Sequence, residues 1–385
     1  MFRLEQMGIY FHWPFCKSRC PYCDFNAHVR DNIDQEQWVN AYLRSLEFYS
    51  KKMPDKQIIS IFFGGGTPSL MEAATVAAII DKVQSLWLVA NDIEITLEAN
   101  PTSVENDKLK AFKDAGINRL SLGVQALNNN DLKFLGREHD AGEALRAIEL
   151  AQKYFDKSSF DLIYARPNQR LSDWEMELHR ALELSSGHLS LYQLTIERNT
   201  PFYMRHSRGE FSIPDDVRGA EFYDLTQDIM EEAGLPAYEV SNHANVGNEC
   251  RHNLLYWHMA DYIGIGAGAH GRFAMAGNKY STREHSAPEI WLERVSEKSY
   301  GSHDWEVISQ KDRFYEALMM GLRLSAGLSI ERIEELSKKR FYDMIDQEKL
   351  QTVISQKWAI KDGDNFMLTR EGLLRLNAII PYILK

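Results

Sequence analysis

Gly8-Ile-Tyr-Phe-His-Trp13 runs without a break into Pro14-Phe15-Cys16-Lys-Ser-Arg-Cys20-Pro-Tyr-Cys23. The first six residues, aromatic and β-branched around one glycine, read as a β-strand. Three thiols therefore follow directly on a strand's C-terminal end, where (β/α) barrels build their sites. Thiolates select zinc or iron–sulfur clusters, and a structural zinc ion takes four protein ligands. Only three are offered here, unless His12 or His28 supplies a fourth. The expectation is a [4Fe-4S] cluster on Cys16, Cys20 and Cys23, with one iron open to a small-molecule ligand; zinc is the alternative. Cys250, the last of four cysteines, lies far off in sequence and reads as a small, partly buried thiol, so no disulfide framework is expected.

Outward from this stretch, β-rich runs at 8–13, 58–63, 93–97, 119–124, 159–164 and 189–194 alternate with helix-period segments at 35–51, 71–86, 104–115, 141–155 and 171–184. Ser103 and Ser172 are candidate N-caps and Gly116 a stop. Repeated β-α units predict a parallel sheet with right-handed crossovers. Six of them predict an α/β fold, a partial (β/α)6 TIM-like barrel over residues 1–237. Residues 238–284 follow a helix at 216–233; rich in His, Asn, Gly and aromatic side chains, they read as an irregular functional stretch. Residues 285–385 predict a small C-terminal helical, winged-helix-like domain. Its elements are helices at 311–324 and 329–336, a strand-turn-strand at 358–369 with Asp362-Gly363 in the turn, and a last helix from Arg370.

The 385 residues are 44% hydrophobic and 26% charged, ordinary globular proportions, and the net charge of −11 leaves no basic footprint. Nucleic acid is not expected as a partner, and the winged module is expected to brace or dock rather than bind DNA. No window approaches eighteen consecutive apolar residues and no basic-then-apolar leader opens the sequence. The expectation is a cytoplasmic protein with no membrane span; the sequence leaves its oligomeric state open.

The second strand runs into Gly64-Gly65-Gly66-Thr67-Pro68-Ser69, whose glycines let backbone approach a ligand closely. A nucleoside triphosphate is disfavoured because the Gly-Lys-Ser/Thr of a phosphate loop is absent; a plain strand-helix turn is the bland alternative. Glu98, Gln125 and Asp161 fall near corresponding strand ends and read together as a polar ring able to hold ribose hydroxyls and amino-acid groups. Gly266-Ala-Gly268-Ala-His-Gly271 matches a dinucleotide fingerprint by its letters, but no clear helix follows, so it reads as a tight loop near the site.

Taken together, the Cys-x3-Cys-x2-Cys spacing, the glycine-rich turn and Glu98 resemble the radical S-adenosylmethionine superfamily. The resemblance implies that Cys16, Cys20 and Cys23 ligate the cluster, that Tyr10 and Tyr22 lie beside S-adenosylmethionine, that Gly65, Gly66 and Thr67 contact its methionyl part and Glu98 its ribose. It also implies further S-adenosylmethionine contacts from Gln125, Arg137 and Asp161. Within the superfamily the chain resembles the HemW family of haem chaperones. The matching stretches are Cys20-Pro-Tyr-Cys-Asp-Phe-Asn26, Tyr192-Gln-Leu-Thr-Ile-Glu197, Glu239-Val-Ser-Asn-His243 and Cys250-Arg-His-Asn-Leu-Leu-Tyr-Trp257.

The last of these carries the His-Asn-x-x-Tyr-Trp motif associated with haem in that family. It implies haem binding by His252, Asn253, Tyr256 and Trp257, with His243, His258 and His270 as rival ligands. Neutral imidazole suits haem iron and flat aromatics suit a porphyrin; a packed histidine among core aromatics is the plain alternative. The implied function is delivery of haem, as cargo, to a haem-requiring acceptor, with no residue assigned to catalysis. Oxygen-independent coproporphyrinogen III oxidation is the alternative. Those enzymes usually carry another cysteine two places after the motif, whereas here Asp24 and Phe25 follow Cys23. Where the family usually reads Gly-Leu-Pro-x-Gln-Thr, this chain has Ala165-Arg-Pro-Asn-Gln-Arg170, whose two arginines read as propionate partners or as solvated loop residues.

Overall fold

The computed structural model describes residues 2–385. Six parallel strands form its centre and pair in chain order: β1 Gln6–Trp13, β2 Gln57–Gly65, β3 Leu88–Ala99, β4 Arg119–Gln125, β5 Lys157–Tyr164 and β6 His188–Gln193. Helices α1 Gln35–Lys52, α2 Ala73–Leu86, α3 Asn106–Asp114, α4 Ala141–Tyr154 and α5 Leu171–Glu183 make the returns, giving the expected partial barrel. Strand alternation explains how the barrel is filled. In β1, Met7, Ile9, Phe11 and Trp13 are buried in the core shared with the helices, leaving Gly8, Tyr10 and His12 for the other face. In β3, Ile95, Leu97 and Ala99 join that core while Glu94, Thr96 and Glu98 turn away from it.

Two expected caps are displaced. Pro101–Ser103 forms a separate 3-10 turn, capped by Asn100, so α3 starts from Glu105 and not from Ser103. The Asp173 carboxylate accepts from the Arg170 backbone N–H, which starts α5 at Arg170 and not at Ser172. Gly116, at φ 106°, sits in the left-handed region just beyond α3, as expected of a stop.

Residues 238–284 are more regular than their composition suggested. Helix α6 Asp216–Glu232 leads to β7 Asn242–Ala244, antiparallel to β6. Helix α7 Arg251–Trp257 follows, then β8 Asp261–Ile265, which pairs in parallel with β1 from Met7↔Asp261 to Phe11↔Ile265. A hairpin of β9 His270–Met275 and β10 Asn278–Arg283, then β11 Glu306–Val307, complete an eleven-stranded sheet. These strands escaped sequence reading because β10 is almost wholly polar. Its Lys279 is buried by pairing with Asp261 at 2.6 Å, and Lys56 pairs with the same carboxylate at 2.6 Å. The glycine-rich letters between β8 and β9 form a loop whose Gly266 and Gly268 adopt φ of 115° and 87° and press on His12 and Asn26.

A second apolar core begins at Phe314. It joins α9 Gln310–Gly321 and α10 Ile330–Ser337 to a three-stranded sheet of β12 Leu328–Ser329, β13 Ala359–Asp362 and β14 Asn365–Leu368, the last two joined across Gly363. The single helix expected from Arg370 is two, Arg370–Leu373 and Leu376–Ile383. The module is sewn to the barrel by a Glu239↔Leu324 backbone bridge and by Ser325 N donating to Tyr238 O at 3.2 Å. Among the described residues no helix is long and apolar enough to cross a membrane.

Behind β1, Trp38 stacks on Trp291 of α8 Pro288–Lys298 at 5.2 Å and 8°. The Trp291 indole N–H donates to Glu284 Oε2 at 2.6 Å and Tyr49 O–H to Oε1 at 3.3 Å. Burial pushes the Glu284 carboxyl up to about 8 from an ordinary 4.5. A folded pKa above the unfolded one gives stability that is complete below pH 4.5 and lost as pH rises through 8. Thermal melting of Glu284→Gln should therefore lose part of the wild-type decline between pH 4.5 and 8; an unchanged slope would assign that decline to other groups.

Candidate functional site

The thiol-bearing loop leaves β1 at Trp13, with Phe15 and Trp38 packed edge-to-face behind it at 5.1 Å. All three cysteines are free; Cys16 is buried, Cys20 and Cys23 half-buried. Burial first, then the neighbouring cysteines, raises the Cys16 thiol to about 11, and burial raises that of Cys23 as well. The loop is held at Pro21, whose carbonyl accepts from Phe202 N at 2.9 Å. Its ring lies 2.5 Å from where a Cβ on Gly136 would stand, so Gly136, at φ 68°, tolerates no side chain. The next residue, Arg137, donates from Nη1 to Cys20 Sγ at 3.2 Å and from Nη2 to Gly123 O at 2.7 Å; its Nε is buried without a partner. Burial opposes the Arg137 charge, but Tyr22 and Cys20 outweigh it and raise the guanidinium's pKa.

Of the histidines offered as a fourth zinc ligand, His12 is engaged at both ring nitrogens and His28 at one. His12 engages Tyr10 Oη through Nδ1 at 2.9 Å and Asn26 O through Nε2 at 3.0 Å, and His28 Nε2 meets Asn26 Oδ1 at 3.3 Å. Among the described residues no three His, Cys, Asp or Glu side chains converge as a single-ion site. Three free thiols, a guanidinium aimed at one of them and a buried orphan N–H beside them form a donor set that suits an anionic thiolate cluster better than a lone ion.

The glycine turn wraps the same loop. Gly66 N donates to Trp13 O at 2.7 Å and Thr67 N to Phe15 O at 2.8 Å, while Gly65 N donates to Glu98 Oε2 at 3.1 Å. A Cβ on Gly64 would meet the Tyr10 ring at 2.8 Å and one on Gly66 the Phe15 backbone at 2.5 Å. Close approach of the protein's own Phe15 backbone and Tyr10 ring thus accounts for the glycines here.

Glu98 and Asp161 share one electrostatic environment. Burial first, then the Asp161 charge, pushes the Glu98 carboxyl to about 8; burial pushes Asp161 to about 6 against the pull of Ser190 and Arg137. Asp161 lies in the middle of β5 and not at its start, four residues past Lys157. Gln125 closes β4 at φ 75°, beyond a break in register with β5, a strained backbone of the kind that collects at functional sites. Tyr192, given no role from sequence, stands 39% exposed on β6 two positions past Ser190, the residue paired with Asp161. Its place opposite Ile163, next to the Asp161↔Ser190 pair, is set by β5–β6 register and was not legible from its neighbours in sequence.

His252 lies on α7 and packs against another level of the same strands. Its Nδ1 meets Ser60 Oγ at 2.8 Å, its Nε2 meets Tyr256 Oη at 2.7 Å, and its ring stacks on Phe62 at 5.1 Å. Gly8, Ser60 and Glu94 are successive neighbours across β1, β2 and β3, and Glu94 accepts from His252 N at 3.1 Å. That level is four residues below Glu98, about 13 Å along the strand. The Tyr10–Phe62 layer, stacked at 6.1 Å, separates the two. Burial holds the His252 imidazole near 3, hence neutral. Glu94 and Arg119, absent from the sequence expectations, fasten this end: Arg119 Nη1 reaches Glu94 Oε2 at 4.0 Å and Asn248 O at 3.0 Å. Among the rival histidines, His243 is buried on β7 against Gln227, His258 packs edge-on to Phe2 at 5.8 Å, and His270 is exposed at the start of β9.

Neither reading of the two unusual arginines holds for Arg166. It is 2% exposed and ion-paired with Glu177 and, at 2.9 Å, with Asp131. Arg170 is exposed and pairs with Asp173 at 2.6 Å. Arg166 is neither solvated nor available to a propionate, because its neighbours already supply two carboxylates.

The fold and the site define a radical S-adenosylmethionine protein. Residues 10–181 match the Radical SAM superfamily and residues 308–375 the HemN C-terminal domain, and the chain belongs to this family. It is 34% identical to the "Heme chaperone HemW" of Escherichia coli (strain K12) over 100% of both chains. To the "Radical S-adenosyl methionine domain-containing protein 1, mitochondrial" of Danio rerio it is 34% identical over 98% of this chain and 87% of that one. The solved coproporphyrinogen III oxidase HemN from Escherichia coli shares the fold at a TM-score of 0.81 and 20% identity, over 97% of this chain and 89% of that one.

If Cys20 is a cluster ligand, Cys20→Ala purified anaerobically after reconstitution should lose most of the bound iron and sulfide. Full iron and sulfide content in that variant would contradict the assignment.

Proposed function

We propose that this chain binds a [4Fe-4S] cluster through Cys16, Cys20 and Cys23, binds S-adenosylmethionine beside it, and carries haem for delivery to an acceptor protein. When bound, the cluster supplies an iron with a vacant position and a source of single electrons. Around it, the chain's residues hold and orient. Gly65 presents its N–H to Glu98, Tyr10 and Gln125 border the ring, and Asp161 adds a second carboxylate. A cationic sulfonium ligand bearing ribose hydroxyls relieves two carboxylates that burial has left with too little positive charge. The names of the HemW relatives support the haem part of this reading.

The observation that carries it is the docking of α7 inside the barrel unit. His252 is held neutral, as an iron ligand must be, and its ring lies 6.4 Å from that of Tyr10, with Phe62 and Tyr256 on two sides. Both its ring nitrogens are engaged, so it meets iron only after surrendering its bond to Tyr256 or to Ser60.

That constraint sets the test, an anaerobic haem titration of cluster-loaded protein followed by visible absorbance. Wild type should bind one haem saturably, His252→Ala should bind it at least tenfold more weakly, and Tyr256→Phe, which frees Nε2, should bind as tightly or more tightly. Loss of affinity in Tyr256→Phe equal to that in His252→Ala would make the pair a structural unit and move the ligand elsewhere. Sustained turnover of coproporphyrinogen III without saturable haem binding would establish the oxidase alternative.

A further inference from the structure

Two buried N–H donors at the seam between α7 and the C-terminal module have no partner among the described residues, Trp257 Nε1 and Arg323 Nε. The two side chains lie together, with the Arg323 guanidinium 4.9 Å from the centre of the Trp257 ring. A buried donor left unpaired forfeits the hydrogen bond it would make to water, and native chains leave few. Arg323 makes no ion pair among the described residues. Glu239 senses its charge, but its Oε1 accepts from Ser241 N at 3.1 Å and Asn242 Nδ2 at 2.6 Å. Asn253 stands one turn before Trp257 on the same face of α7, since four residues along a helix return to one side. The seam itself is fixed by the Glu239↔Leu324 bridge and by Ser325 Oγ donating to Ala237 O at 2.7 Å.

Indole and guanidinium are donor-only groups, and a cation beside a second N–H recognises an acceptor-only anion of small planar shape. We propose that Trp257 and Arg323 form a carboxylate notch, and that the carboxylate it takes is a propionate arm of the porphyrin; this rests on the haem-carrier reading above. His252 and Tyr256 turn the other face of α7 to the barrel, so one short helix addresses the ring's centre with one face and its acidic edge with the next. S-adenosylmethionine also carries a carboxylate. The residues that would hold it lie at the level of Glu98 and Cys20, and the test separates the two sources.

Haem and haem dimethyl ester, in which both propionates are blocked, are titrated anaerobically into cluster-loaded full-length wild type, Arg323→Gln, Arg323→Lys and Trp257→Phe. S-adenosylmethionine binding is measured in parallel by equilibrium dialysis. Arg323→Gln and Trp257→Phe should each weaken haem roughly tenfold or more, as loss of a charge-assisted hydrogen bond predicts. Arg323→Lys should recover part of the loss. Wild type should bind the ester about as weakly as Arg323→Gln binds haem, the ester should not distinguish the variants, and S-adenosylmethionine affinity should not move. Equal affinity of wild type for haem and ester overturns the notch while leaving the carrier reading intact, and needs no variant to fold. A loss that falls on S-adenosylmethionine instead overturns the assignment to porphyrin. Absence of saturable haem binding in wild type brings down the carrier reading and the notch with it.

Discussion

Glu98 and Asp161 pose the electrostatic problem around which the rest of the barrel is arranged. Both are half-buried carboxyls raised by desolvation, to about 8 and about 6; Asp161 adds to the rise at Glu98, and Arg137 pulls against the rise at Asp161. Arg137 is already committed to Gly123 O and to Cys20 Sγ. A site that crowds acid groups and lends its arginine to a thiol is short of positive charge. Such a setting favours a ligand bringing a cation and hydroxyl donors into the ring, because either stabilises the ionised carboxylates. The Gly64 to Gly66 turn is the geometric counterpart, because it removes side chains where the Tyr10 ring and the Phe15 backbone come closest.

The polar face of the parallel strands is layered by register. His12, Gly64 and the end of β3 make the level of the cluster loop, Tyr10 and Phe62 make an aromatic middle, and Gly8, Ser60 and Glu94 make the far level. Helix α7 closes that far level and depends on it. A Cβ on Gly8 would stand 2.6 Å from Leu255 and 3.2 Å from His252, so only glycine lets the helix dock. Glu94 contributes twice, accepting from His252 N at 3.1 Å and lying 3.6 Å from Cys250 Sγ. The two proposed ligand sites are therefore neighbours in one stack separated by one pair of rings.

The barrel was legible because each of its strands carries its own alternation, and the cysteine loop because its spacing is local. Positions fixed by long-range register were not legible. Tyr192, Glu94 and Arg119 gain their surroundings only when β5 meets β6 or β3 meets β4. The strand β10 has almost no apolar signal because a buried Lys279–Asp261 pair replaces apolar packing. Arg166 misled for the opposite reason. In sequence it is an arginine in a loop, and only folding brings Asp131 and Glu177 to it, converting an apparent ligand group into a buried clamp. Its neighbour Ala165 holds φ at 56°, a conformation glycine adopts more easily, so the loop keeps its shape without the glycine the family usually has there.

Burial of His252 bears on what a carrier needs. An imidazole held near 3 is neutral at physiological pH, with one ring nitrogen unprotonated, so a second proton does not compete with iron for that nitrogen. Its bonds to Ser60 and Tyr256 make the closed helix the resting state, and a hydrogen bond is worth only about 0.5–1.5 kcal/mol net. Under the carrier reading, haem affinity is then reduced by the fraction of molecules in which α7 has moved enough to uncover the fully buried ligand. The same bond is available to displace haem when an acceptor competes for it. Under that reading, a neutral histidine kept fully buried by Ser60, Tyr256 and Phe62 ties uptake and release of haem to movement of α7, which one left exposed would not do.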